Sequence, residues 1–285
     1  MKTATETAGL PEPLARSIET RLMEGKLELP VLPQIAGEVM DLCSTESTDA
    51  AELSALLHRD QALATNVLRV ANSPAYMPTV PIASLQQAVG RVGLKLVAEI
   101  AMAVSVRASL FPTGDHEAIL RVMWRHSVAA GFFAKEIARI RRHNVETAFL
   151  CGLLHDVGKP VLLANLPNLE DDGNSLDAET VAVVLDHFHT RVGRILAERW
   201  QLPVQIREAI QHHHHYIAAE EHRESAMLAC LADLMAHLVV PGGVAVVEQD
   251  LRQHPVLEAL NLYQDQFEGL LGAAGSVTEM VEAVG

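Results

Sequence analysis

Fourteen histidines in 285 residues outnumber the phenylalanines and tyrosines together. Imidazole is both the usual proton carrier near neutral pH and a common metal ligand. His155 and Asp156 adjoin where an apolar run (Ala148, Phe149, Leu150, Leu153, Leu154) meets Gly158 and Pro160. Adjacent helical residues point roughly 100° apart, so a neighbouring His and Asp reach one ion most easily at a helix terminus. His126 lies between Trp124 and Ser127-Val128-Ala129-Ala130, and His187 and His189 precede Gly193, which permits close helix approach. The run His212-His213-His214-His215 ends a segment holding Ile206 and Ile210, and Asp233 stands among Leu228, Leu231, Leu234 and Met235. An unpaired carboxylate there would be expensive to bury.

Singly, these residues have ordinary readings. A histidine on an apolar helix is more often a hydrogen-bonded core or surface residue than a ligand. The run could be a solvated helix end, Asp233 could cap or pair with an arginine, and only one of His187 and His189 needs a role. His58, His116, His143, His222, His237 and His254 sit in polar contexts and need no function.

The elements that must carry these residues read as helices. Leu29-Pro30-Val31-Leu32-Pro33 is an extended lead-in, because proline fixes φ and disfavours helix before it. Helices are predicted near 34–43, from Asp49 (with Glu52 as a capping-box partner), over 60–71, from Ser84 (with Gln87) to Gly93, and over 95–110. A break at Phe111-Pro112-Thr113-Gly114 marks a subdomain boundary. Beyond it come helices at about 116–141, 145–155, 178–187, 189–200, 204–214 and 223–239. Polar loops fall at Glu170–Ser175 and Pro241-Gly242-Gly243, and short amphipathic pieces at Val256–Leu262 and Phe267–Leu271. No sustained period-2 alternation calls for a sheet, so the expected class is all-α.

Composition narrows the functions. Twenty-two basic and 36 acidic residues leave a net charge of −14, which argues against coating nucleic acid. Hydrophobic residues at 49% are enough for a core, and aromatics at 4% lean towards helix. Cys43, Cys151 and Cys230 form no CxxC pair, in keeping with a reducing compartment. The opening residues lack the apolar core of a signal peptide. The most apolar stretch, Met227 to Val247, is interrupted by Asp233, His237 and the Pro-Gly-Gly break. A cytoplasmic protein that contacts no membrane is the expectation.

The spaced pattern His … His-Asp … His … His-His … Asp resembles the HD superfamily of helical metal-dependent phosphohydrolases, most recognisably in Leu153-Leu154-His155-Asp156-Val157-Gly158-Lys159. Over about residues 25–240 the chain is similar to the HDOD family, the HD-related output domain of bacterial signalling proteins. Leu29–Pro33, Arg59-Asp60-Gln61-Ala62-Leu63, Leu68–Ser73, Ile82–Gly93, His189-Thr190-Arg191-Val192-Gly193 and Trp200-Gln201-Leu202-Pro203 carry the likeness, with Gln61 replacing a usual proline. The resemblance implies a lead-in over 1–24, an amino-terminal helical part over 25–112, an HD-like helical bundle with the candidate metal site over 113–240, and a helical tail over 241–285.

The resemblance also implies a ligand set: His126, His155, Asp156, His189, His213, His214 and Asp233. Seven donors exceed what one tetrahedral zinc takes. They suit two octahedral-type ions bridged by Asp156, and a thiolate-free N/O set favours iron or manganese. Lys159 could offer a charge to a phosphate, or be an ordinary solvated lysine. HDOD proteins are mostly regulators, whereas their HD-GYP relatives hydrolyse cyclic dinucleotides with an Asp-Gly-x-Gly-Tyr-Pro-like loop. Here that place reads Tyr216-Ile217-Ala218-Ala219-Glu220-Glu221. The expectation is a regulator that binds a signalling protein or a small nucleotide ligand. A metal-dependent phosphohydrolase is the alternative, and a metal-free scaffold the third reading.

Overall fold

A computed structural model describes residues 10–44, 50–76, 80–111, 116–169, 176–240 and 246–284. Among them there is no strand. The amino-terminal helices are α1 (Glu12–Met23), α2 (Gln34–Ser44), α3 (Ala50–Leu57), α4 (Gln61–Ala71), α5 (Leu85–Val92) and α6 (Leu94–Leu110). Then come α7 (Glu117–Arg141), α8 (Val145–Leu154), α9 (Gly158–Leu169), α10 (Ala178–Arg199), α11 (Val204–His212) and α12 (Arg223–Val239). Four short helices close the chain: α13 (Glu248–Arg252), α14 (Pro255–Ala259), α15 (Gln264–Gly272) and α16 (Ala274–Val284).

Side-chain caps set many of the boundaries. Asp60 accepts the Leu63 amide at 3.0 Å, Asn144 that of Thr147 at 2.8 Å, and Asp177 that of Thr180 at 2.7 Å. Ser84 accepts the Gln87 amide at 3.1 Å, while the Gln87 side chain reaches back to the Ala83 amide at 2.8 Å. Asp49, residues 112–114, the 170–175 loop and Pro241–Gly243 lie outside the described residues.

Two expectations change. The helices expected at 178–187 and 189–200 are one helix, α10, because nothing between Asp186 and Thr190 breaks a helix and Phe188 and His189 are both buried in it. The α9 helix was not anticipated, since it holds Pro160 and Pro167. Pro160 falls in the first turn, where its missing N–H had no intrahelical partner to lose.

The long helices α7, α8, α10, α11 and α12 pack around one another and bury Trp124, Phe133, Phe149 and Phe188. The 145–167 stretch is long and apolar enough to cross a membrane, yet 78% of its most apolar window is buried inside the protein. The proline-rich lead-in is tied to this bundle by side chains. The Asn165 amide exchanges two hydrogen bonds with the Glu28 backbone (2.8 and 3.0 Å), and Trp200 Nε1 donates to Pro30 O at 2.9 Å. At the other end of the chain, α16 buries Val277 and Val281, and Arg69 and Arg107 donate to the Ala283 and Val284 carbonyls.

Candidate metal centre

Two close backbone approaches build the site. An added Cβ on Gly158, at the start of α9, would lie 1.9 Å from His189 O on α10, and one on Gly193 would lie 2.6 Å from the Ile210 side chain. Only glycine allows these contacts. They set the His155-Asp156 turn against His189 and against the end of α11. Gly152 does the same between α8 and α7, where a Cβ would meet Ala130 O at 2.3 Å.

All seven histidines and aspartates of the implied set converge. His126 Nε2 lies 3.0 Å from Asp233 Oδ1 and 3.3 Å from His155 Nε2. His155 Nε2 lies 3.4 Å from Asp156 Oδ2 and 3.5 Å from Asp233 Oδ1. On the other side, His189 Nε2 is 3.1 Å from His214 Nε2, 3.4 Å from His213 Nε2 and 3.3 Å from Asp156 Oδ1. The Asp156 carboxylate therefore stands between two histidine groups, one at each oxygen. Lys159, in the first turn of α9, pairs with Asp156 Oδ2 and is 21% exposed at its side chain, so it is not a freely solvated lysine. His187 stays out of the cluster and stacks edge-on with Phe188.

His237 was read as needing no function, and the structure places it in the centre. Its Nε2 lies 3.4 Å from Asp233 Oδ1, and its ring centroid is 4.4 Å from that of His126. The available signal was the i, i+4 spacing from Asp233, which puts both on one helix face. His143, in contrast, pairs with Glu224 at 2.6 Å, away from the cluster.

Backbone carbonyls orient the rings. His155 Nδ1 donates to Gly152 O at 2.6 Å, His213 Nδ1 to Ile210 O at 3.0 Å, and His189 Nδ1 to Asp186 O at 2.7 Å. With the proton on Nδ1, neutral His189 and His213 each turn an Nε2 lone pair into the cluster. His155, His189 and His213 are 0% exposed, and Asp156 Oδ1 is buried with no hydrogen-bond partner.

The electrostatics follow from this crowding. Burial opposes charge on Asp156, but Lys159 and His155 hold its carboxyl well below the usual range. Burial likewise opposes charge on Asp233, and His126, His155 and His237 hold it well down. Burial would lower His155, yet the two carboxylates push it up to about 10. Burial wins at the other deeply buried rings, and it lowers His126 in spite of the Asp233 contact. Burial, with Lys159 and His214 adding to it, drops His189 to about 4, and burial with His214 and His155 beside it takes His213 well below its ordinary value. Two carboxylates thus face one imidazolium and one ammonium, while His189 and His213 turn Nε2 lone pairs towards each other.

A divalent ion fits this arrangement. Donors held about 2.1 Å from one octahedral centre stand about 3 Å apart when adjacent and about 4.2 Å when opposite. The observed 3.0–3.5 Å between donors within each group falls in that interval. Buried acceptors facing acceptors, and an orphaned carboxylate oxygen between them, are what a cation would satisfy.

An all-α bundle with convergent His and Asp donors at helix ends defines an HD-type protein. The HDOD domain model matches residues 29–216, and the chain belongs to that family. An HDOD domain protein with unknown function from Geobacter sulfurreducens shares the fold at a TM-score of 0.73 and 27% identity, covering 94% of this chain and 98% of its own. A proposed metal-dependent phosphohydrolase from Shewanella amazonensis SB2B superposes at a TM-score of 0.71 with 20% identity, over 94% and 98% of the two chains. An uncharacterised protein of Treponema pallidum (strain Nichols) is 26% identical over 231 residues, 78% of this chain. The chain spans 44% of that curated relative's length.

Proposed function

We propose that this chain is a cytoplasmic bacterial signal-transduction module whose His/Asp centre holds one or two divalent ions, iron or manganese. It acts by contact with a partner protein or a small nucleotide ligand, and it engages neither nucleic acid nor membrane. The observation that carries the metal reading is the inward convergence of seven donors, with the Nε2 lone pairs of His189 and His213 facing each other at 3.4 Å and Asp156 Oδ1 buried without a hydrogen-bond partner. In a metal-free scaffold that lone-pair contact would be unfavourable.

The regulatory part rests on family membership and on how closed the centre is. Of the seven donors only His214 is open to solvent, its side chain 49% exposed. The chain after the histidines is pinned down, with Glu208 accepting the His222 and Glu221 amides at 2.8 and 3.3 Å. That loop holds no glycine, unlike the phosphodiesterase loop.

One feature favours phosphodiester hydrolysis as a second reading: the Lys159 ammonium stands partly exposed at the Asp156 edge, where a phosphate oxygen could meet it. A bound divalent ion would supply positive charge and a more acidic water there. The residues themselves orient the donors through the Nδ1–carbonyl bonds and hold Asp156 ionised.

Metal analysis of the purified protein beside Asp156→Ala separates the readings. One or two iron or manganese ions in the wild type, absent from the variant, and no turnover of nucleotide or cyclic dinucleotide substrates is the expected result. Metal-dependent turnover abolished by Asp156→Ala would establish the hydrolase instead, and metal-free wild-type protein would remove both.

A further inference from the structure

The centre has unequal halves, and the inequality turns on His237. Asp233 and His237 sit one turn apart on α12, and His126 from α7 completes a trio whose ligand atoms all lie within 4.8 Å of one another. The His237 side chain is 14% exposed. Its Nδ1 is buried with no partner, so the ring's polar contact is with Asp233 alone. Asp233 Oδ1 does not need that contact to stay satisfied, since His126 Nε2 already approaches it at 3.0 Å and His155 Nε2 at 3.5 Å. His126, His237 and Asp233 bring three ligand atoms close enough to share one ion, and the protein gives the His237 ring no other polar partner.

We infer that His237 is a further metal ligand, so that the centre is a closed inner site and an exchangeable outer one. This rests on the metal-binding reading above. The inner site comprises His126, His155, His237, Asp233 Oδ1 and Asp156 Oδ2, five donors from α7, α12 and the α8–α9 turn. The outer site comprises His189, His213, His214 and Asp156 Oδ1, four donors of which His214 is half open to water. Five donors, four of them buried, nearly fill an octahedral shell and leave little room for an exogenous ligand. Four donors with an exposed member leave positions free. An anionic oxygen ligand, such as the phosphate of a small nucleotide, would therefore reach the outer ion and not the inner one.

The test is titration of the metal-stripped full chain with manganese alone, following free Mn²⁺ by its electron paramagnetic resonance signal. Wild type is expected to bind two ions in a tight and a weaker class. His237→Gln should weaken the tight class by about 100-fold or more, above the 10- to 100-fold typical of losing a group that only orients a ligand, and leave the weaker class unchanged. His214→Gln should weaken the weaker class alone. His237→Asp, which restores a strong, ionised donor, should recover part of the tight binding, and protein loaded with one equivalent of cobalt, which fills the tight class first, should change its visible absorption in His237→Gln but not in His214→Gln. A His237→Gln titration that overlays wild type overturns the inference, as does equal weakening of both classes. Wild type that binds no manganese instead overturns the metal reading beneath it.

Discussion

Two buried clusters of charge among the described residues are resolved in opposite ways. Between α6 and α7, Glu99 and Lys135 form an ion pair that is almost wholly inside, acid against base, with one Glu99 oxygen left over. Across the α7–α12 bundle, Asp156 and Asp233 meet six imidazoles, of which His189 and His213 turn Nε2 lone pairs towards each other. The first cluster is a single acid–base pair. The second gathers more nitrogen and oxygen ligand atoms than its own charges pair off, and a cation would use them. Burial raises the Glu99 pKa despite Lys135, whereas Asp156 is held well down by Lys159 and His155 against the same penalty of burial. A buried carboxylate is thus no sign of a site by itself. What marks one is the number of metal-ligating side chains that converge on it.

Four measurements would sharpen or break that contrast. The largest effect is expected at the completed pair. Glu99→Ala strands a buried ammonium and should cost about 3–5 kcal/mol in urea unfolding, while Glu99→Leu with Lys135→Met together should come within about 1 kcal/mol of wild type. Next is the incomplete cluster: manganese at a hundredfold over Kd should add about 2.7 kcal/mol to wild-type stability, lost on chelation. The Glu99→Leu/Lys135→Met double variant should keep that increment and His155→Ala should lose it. If chelation leaves wild-type stability unchanged, the contrast between the clusters fails.

A smaller effect belongs to the scaffold. Gly158→Ala forces a methyl against His189 O and should cost about 1–3 kcal/mol. It should also weaken manganese binding, because it moves Asp156 away from His189. Unchanged binding would show that the close approach is incidental. The smallest is at Glu208, an acid that behaves like Glu99 in being satisfied by the chain itself. Burial opposes its charge, but the His222, Glu221 and Glu220 amides lower its pKa. A lowered acid contributes stability above its ordinary value of 4.5 and loses it as pH falls through the folded value. Glu208→Gln should therefore speed hydrogen exchange at the His222 amide by about 1 kcal/mol of local opening at pH 7. The gap from wild type should close on acidification below 4.5. A gap independent of pH would mean that the amides do not depend on the carboxylate's charge.

Much of this was legible in the residues. The 3.6-residue periodicity, the Asp60 start and the Ser84 cap located most helices to within a residue or two, because capping is local chemistry. The seven donors were legible as a pattern. His237 was not, since an i, i+4 partner on a helix is informative only once the face it shares is known to point inward. The α9 helix escaped because Pro160 is a breaker in the middle of a helix and harmless in its first turn, a distinction that depends on where the helix starts.

The amino-acid sequence by itself determined an all-α chain of the HDOD kind, with histidines and aspartates at the ends and faces of its helices. Propensity, capping and spacing act over a few residues and need no partner. Tertiary structure alone decided which nitrogen of each ring faces inward, that Asp156 offers one oxygen to each histidine group, that Lys159 closes on it, and that His237 joins the inner side. Those outcomes depend on Gly152, Gly158 and Gly193 letting backbones from distant parts of the chain touch. A contact between α9 and α10 is set by packing over the whole bundle, and no local rule contains it.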